Sequence, residues 1–339
     1  MKTAAEFLPR DLKQVRVDRK PDTEGEQREI EIVRHVFDAD SISAVNGALA
    51  SGRPLLVRGE PGVGKTQLAA AVAAQLDRPL VSYTLNSNTE STDLLWRFDA
   101  VQRLAEAQVC GTLELTEQQV RMRLKEWRFV APGPLWWGFD WTGALTHLKQ
   151  QVACIALAKG DQAQAAEEEL ALATVPDNGG DASNGVVVLI DEIDKADSDV
   201  PNGLLEALGA RQFTPQGCKK VSAGTTAPLV IITTNQERVL PDAFIRRCLV
   251  MQMKPPGRAD LIRRGEAHFG NSHSAVLETA ADQLLEDREK ALPPRPGLAE
   301  YLDLVRAVLI LAPTQEREPH ELIDELAEFT LRKQSGGRN

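Results

Sequence analysis

Three short clusters in this sequence combine residue types and spacings suited to phosphate chemistry. The first, GEPGVGKT at 59–66, places Gly59, Gly64, Lys65 and Thr66 at the fixed positions of a phosphate-binding loop, with Glu60, Pro61, Gly62 and Val63 between them. Glycines there let the backbone curl so that successive N–H groups face a polyphosphate, and a helix continuing through Gln67 turns its positive end to the same anion. Lys65 would reach the outer phosphates and Thr66 would hold magnesium. The second is Asp191-Glu192: Asp191 would hold the metal through water, and Glu192 would orient and polarise an attacking water. The third is Asn235, whose amide could hydrogen-bond that water or the terminal phosphate; a turn-forming Asn is the plainer alternative. Arg246 and Arg247 stand just before a strand-like run, where they could equally be surface charge.

The elements needed to position these residues are legible around them. PLLV (54–57) suits a buried parallel strand and QLAAAVAAQL (67–76) a helix, so strand, loop and helix arrive in the required order. VVVLI (186–190) and LVIIT (229–233) are continuous apolar runs, as expected of central parallel strands covered on both faces. Each ends at a candidate residue, where open α/β sheets bind ligands. PLVSYTL (79–85) and LVMQM (249–253) complete the predicted strands, and QFTPQGCKKVSAGTT (212–226) reads as a hairpin turning near Gly217. Beyond Pro256 the pattern is helical over 258–269, 274–290, 298–311 and 320–332.

The remaining chain is less specific. Residues 1–28 are charged and broken by Pro9, Pro21 and Gly25, and read as a flexible or loosely docked arm. IEIVRHVF (30–37) is strand or loop, and Asp40 or Ser41 could cap a helix running to about Leu49. All five tryptophans lie between Trp96 and Trp141, in a helical, Trp-rich insertion that either packs a core or grips a partner. A helix is expected over 143–158, with an Ala/Glu/Gln-rich extension to about Thr174 whose acidic run Glu167–Glu169 is a solvated face. Three domains follow: the arm (1–28), an α/β domain (29–255, insertion about 96–141) and a smaller all-α domain (256–339).

Composition limits the function. With 339 residues, 42% apolar and 26% charged, the chain has ordinary globular composition. Its net charge of −10 argues against nonspecific nucleic-acid binding, and Arg258, Arg263 and Arg264 read as a solvated helix face. Cys110, Cys154, Cys218 and Cys248 show no CxxC spacing and the histidines no HExxH, so all are taken as structural. Without a signal-like start or a run of ~18 apolar residues, a cytoplasmic protein with no membrane contact is expected.

In order, GEPGVGKT, VVVLIDEID, LLEAL, a hairpin, IITTN, LPDAFIRR and a Pro-bounded Arg resemble the AAA+ ATPases over about residues 50–310, in particular the MoxR-like branch. TESTDLLWRF, APGPL and LLEALGARQFT carry the likeness to that branch. The resemblance implies an α/β P-loop NTPase fold, a parallel sheet sandwiched by helices and followed by an all-α lid. It implies ATP and Mg2+ held by Gly59–Gln67 and Asp191, with Glu192 as base and Asn235 as sensor 1. Arg247, or Arg246, resembles the arginine finger that reaches a neighbouring subunit's ATP, and Arg295 resembles sensor 2. A homo-oligomeric, hexameric ring that remodels or activates a partner protein, such as one with a von Willebrand factor A domain, is what the family leads one to expect. A DNA-directed AAA+ motor and an ATP-gated scaffold with little turnover are the alternatives. The sequence departs from the branch where Gln236, not Pro, follows Asn235, and where Arg246-Arg247-Cys248 replaces Asp-Arg-Phe.

Overall fold

The structure, a computed structural model, describes residues 7–9, 12, 14–19, 31–159, 175–176, 179–292 and 294–332, without the side chains of 14–19, 31–34 and 153–159. The expected extension to Thr174 and its acidic run lie outside the described residues. Part of the expected arm is docked: strand β1 (Gln14–Arg19) pairs antiparallel with β2 (Glu31–Val36). Leu8 is buried, its N–H donating to Asn46 Oδ1 at 2.8 Å while its carbonyl accepts from Asn46 Nδ2 at 2.9 Å. Helix α1 (Ala39–Ser51) is capped by Asp38 rather than by Asp40 or Ser41, because the Asp38 carboxylate accepts from the Ser41 N–H at 2.7 Å.

Strand β3 (Leu55–Arg58) leads into the glycine loop, helix α2 (Lys65–Gln75) and strand β4 (Leu80–Thr84). The insertion is closed at its base by a short antiparallel ladder of β5 (Trp96–Phe98) and β6 (Val130–Pro132), which the apolar pattern was too short to reveal. Between them lie α3 (Ala100–Thr112) and α4 (Glu117–Arg123), and after them α5 (Pro134–Phe139) and α6 (Trp141–Lys159). The tryptophans resolve toward packing. Trp136 and Trp137 are only 4% and 3% exposed, and Trp96 and Trp141 pack partly buried against the same core.

Next come β7 (Val187–Asp191), α7 (Asp199–Ala210) and a hairpin of β8 (Gln212–Phe213) and β9 (Val221–Ser222). Strand β10 (Leu229–Thr234), the one-turn α8 (Asp242–Ile245) and β11 (Leu249–Gln252) follow. Five strands form a parallel sheet in the order β11-β3-β10-β7-β4. Side chains alternate between its faces. Leu55, Val57, Val187, Leu189 and Ile231 pack with Val45, Leu68 and Val72 of α1 and α2, whereas Leu56, Val188, Ile190 and Ile232 pack with Trp136 and Trp137. Each fully buried aliphatic side chain contributes about 1.5–3 kcal/mol, so the periodicity fixes which helices cover which face.

Helices α9 (Arg258–Phe269), α10 (Ser274–Lys290), α11 (Leu298–Gln315) and α12 (Pro319–Thr330) close a separate core around Leu261, Leu277, Leu284, Tyr301, Val305 and Leu322. The fold is the expected α/β sheet with a following helical region. Among the described residues no helix is long and apolar enough to cross a membrane.

One glycine shows how closely the insertion's return strand is seated. A Cβ on Gly133 would stand 2.5 Å from Asp93 O and 2.7 Å from the carbonyl carbon of Leu95, backbone atoms that have no rotamer to escape into. Gly133→Ala should therefore cost about 1–3 kcal/mol, read as a lower urea midpoint at unchanged m-value.

Candidate nucleotide site

The C-terminal ends of β3, β10 and β7 open onto a cleft of about 640 Å³ that extends from the glycine loop to Leu298, Ala299 and Leu302 of α11. Gly64 caps α2 at φ 98°, a conformation open to glycine, and no side chain caps that helix. The first-turn N–H groups of α2 are thus left for an incoming anion.

Lys65 Nζ donates to Gly59 O at 2.8 Å, Glu60 O at 2.9 Å and Asn235 Oδ1 at 2.7 Å, so its three protons are all used. Burial lowers the Lys65 ammonium from its ordinary pKa, against the pull of Asp191, Asp194, Glu192 and Glu60. Asn235 also donates from Nδ2 to Glu192 Oε1 at 3.1 Å, so one amide joins the loop lysine to the acidic pair. Glu192 sits at φ 58°, in the sparsely populated left-handed region, and its carboxylate pairs with Lys195 Nζ at 2.6 Å.

Thr66 Oγ1 donates to Asp191 Oδ2 at 3.0 Å, and Thr233 Oγ1 donates to Asp191 Oδ1. A hydroxyl and a carboxylate from adjacent elements make an oxygen-only donor set. That set fits Mg2+, which keeps several waters and takes one or two carboxylates plus phosphate oxygens. Among the described residues no group of three or more His, Cys, Asp and Glu side chains could hold a metal unaided.

Several residues here escaped the sequence reading. Asp194, 2% exposed, accepts from the N–H groups of Asn235 at 3.3 Å and Glu237 at 2.9 Å and so shapes the turn that aims the Asn235 amide. It belongs to the run DEID, but nothing in that run sets the buried Asp194 apart from the two acids before it. Thr233 bonds both Asp191 and the Glu192 N–H, the latter at 2.9 Å. Gln236 has φ 64° and donates its N–H to Thr234 Oγ1 at 2.9 Å, two things proline cannot do. Arg288 of α10 pairs with Glu60 and donates to Pro296 O at 2.8 Å. No motif marked it.

The predicted arginines lie elsewhere. Arg246 and Arg247 are exposed, their carbonyls accepting from Arg53, the latter at 3.1 Å from Nε. Arg295 is also exposed, with Nε donating to Ala291 O at 3.3 Å, and none of the three lines the cleft.

Fold and site together define a phosphate-loop nucleotide-binding protein. The chain belongs to the family described as AAA domain (dynein-related subfamily), which matches residues 54–248, more than half of its length. The motifs' resemblance to AAA+ ATPases therefore stands. The protein NorQ of Paracoccus denitrificans (strain Pd 1222) is 34% identical over 59 residues, a segment spanning 17% of this chain and 22% of NorQ. Among solved structures, a RuvB point mutant from Thermotoga maritima is similar at TM-score 0.45 and 14% identity, covering 86% of this chain and 68% of that one. A second, described as the Thermotoga maritima RuvB Holliday junction branch migration motor, gives 0.39 and 14%, covering 85% and 66%.

His35 lines the cleft at 2% exposure with Nδ1 unpartnered. Burial, helped by Arg264 and His268 and opposed by Asp38, lowers its pKa to about 3. Between that value and 6.5 the unfolded chain binds a proton that the folded chain refuses, so stability falls as pH falls. From pH 6.5 to 5 the loss from His35 should be about 2 kcal/mol. Urea unfolding at the two pH values should show that slope in the wild type and a flatter one in His35→Gln.

Proposed function

We propose that this protein is a Mg2+-dependent ATPase of the MoxR-like branch that works as a hexameric ring and spends hydrolysis on remodelling or activating a partner protein. A von Willebrand factor A domain on that partner is the family's suggestion. The observation that carries the reading is the Asn235 amide, held between Lys65 Nζ at 2.7 Å and Glu192 Oε1 at 3.1 Å. Such a bridge sets a polar group between a phosphate-binding cation and a general base.

When ATP binds, Lys65 exchanges its carbonyl partners for the outer phosphates, and the uncapped N–H groups of α2 hold the same anion. Thr66 and Asp191 would hold Mg2+, which supplies charge neutralisation on the phosphates when bound. Asn235 positions the attacking water, and Glu192 takes its proton. A base there contributes about 10²–10⁴-fold.

The exposure of Arg246 and Arg247 outside their own cleft supports a finger that acts on the next chain. Arg295 stands on the lid side and needs a lid movement or a neighbouring chain to reach phosphate. A nucleotide switch with little turnover would have no use for the acid pair and the two arginines. A DNA-directed motor sits poorly with a net charge of −10.

Phosphate release should be Mg2+-dependent in the wild type. Glu192→Gln should bind ATP and hydrolyse it at least ~10²-fold more slowly; wild-type turnover would remove Glu192 from this role.

Arg247→Ala should keep its nucleotide affinity and lose about 10³-fold in rate. Mixed with Glu192→Gln it should recover part of that rate, since one chain brings an intact site and the other an intact finger. No recovery on mixing would refute a shared site, an unaffected Arg247→Ala would move the finger to Arg246, and a DNA-stimulated rate would favour the motor.

A further inference from the structure

A second cavity, of about 670 Å³, lies between α6, the tryptophan segment and the tip of the β8–β9 hairpin. It shares no lining residue with the nucleotide cleft, and its size is that of a ligand pocket. The cavity is built rather than incidental. A Cβ on Gly217 at the hairpin tip would meet Glu126 Cβ at 2.7 Å and Trp127 N at 3.0 Å, and Gln216 Nε2 donates to Glu126 Oε1 at 3.0 Å.

Its chemistry is mixed in a particular way. Trp136 forms part of the wall at 4% exposure, and its indole N–H is buried without an acceptor. Such a donor ordinarily finds a partner, from protein or ligand. Beside it the His147 ring, 5.0 Å away, donates Nε2–H to Val130 O at 2.8 Å, and burial lowers its pKa. Lys219 and Lys220 stand exposed in the lining, without a carboxylate partner among the described residues, in a chain of net charge −10. Asp140 also lines the cavity and accepts from the Gly143 N–H at 2.8 Å through Oδ1.

A free phosphate or a nucleic-acid backbone would meet the Asp140 carboxylate unfavourably. A peptide offers an N–H for Asp140 and, if acidic, a carboxylate for the lysines. We propose that this cavity binds an acidic peptide segment of a partner protein, its carboxylate against Lys219 and Lys220. The assignment stands apart from nucleotide turnover, because binding can be read without it.

The probe is a fluorescein-labelled hexapeptide of alternating glutamate and leucine, followed by anisotropy with the full-length protein, with its glutamine counterpart alongside. The acidic peptide should bind and the glutamine peptide should not, with excess ADP failing to displace it. Lys219→Glu with Lys220→Glu should weaken binding about tenfold or more. The charge-reversed variant lies on an exposed turn, so its fold should be unaffected. Absent binding, equal binding of the glutamine peptide, or insensitivity to the lysine reversals overturns the proposal. So does displacement by free glutarate at the peptide's own concentration, which would mean a small acid. Loss of self-association in the lysine variant would assign the patch to a neighbouring copy and also overturn it.

Discussion

Everything at the nucleotide cleft depends on the register of three adjacent parallel strands. Ile232 of β10 pairs with Leu56 of β3 on one side and with Ile190 of β7 on the other. The strands therefore end level, and neighbouring strands lie about 4.8 Å apart. Lys65 follows β3, Asp191 ends β7 and Asn235 follows β10. With β10 in the middle, the amide has the lysine on one side and the acids on the other. A slip of one residue would move every side chain of β10 to the opposite face and take the Thr233 hydroxyl away from Asp191.

The same arrangement settles the electrostatics of the cleft. One ammonium faces four carboxylates, those of Asp191, Asp194, Glu192 and Glu60, yet burial prevails and lowers the Lys65 pKa. The acids are not free to dominate because each has a partner of its own. Asp191 takes two hydroxyls, Asp194 two backbone N–H groups, Glu192 the Lys195 ammonium and Glu60 the Arg288 guanidinium. Hydrogen bonds to a carboxylate hold it in place and spread its charge. Lys65 is thus held by carbonyl dipoles and an amide, which an oxyanion can replace without breaking an ion pair.

The sheet and the phosphate loop were legible because their signals are short-range. Continuous apolar runs mean two covered faces, and a glycine loop needs particular letters at particular positions. Helix and strand assignments after Pro256 and around Asp191 rest on the same periodicity. What escaped depends on contacts distant in sequence. Arg288 meets Glu60 across 228 positions, and Asn46 holds Leu8 across 38. Neither side chain belongs to a motif, and no pattern of neighbours predicts either contact. The β5–β6 ladder was hidden by its length, since three residues per strand carry no period. For the tryptophans the sequence offered two readings, and only the packing of Trp136 and Trp137 under the sheet distinguishes them.

The helical region and the sheet share no hydrophobic core among the described residues. The core around Tyr301 does not merge with either core of the sheet. Glu60 and Arg288 join the loop to α10, but the Glu60 side chain is 44% exposed, and ion pairs open to water are worth about 0–1 kcal/mol. Where α9 lies against β2, the joint leaves His35 Nδ1 and Arg264 Nε buried without hydrogen bonds, a cost rather than a gain. Leu298 and Leu302 of α11 face the cleft, not the sheet's apolar layers. A ligand filling the space between loop and α11 therefore lies between two parts that each keep an intact core of their own.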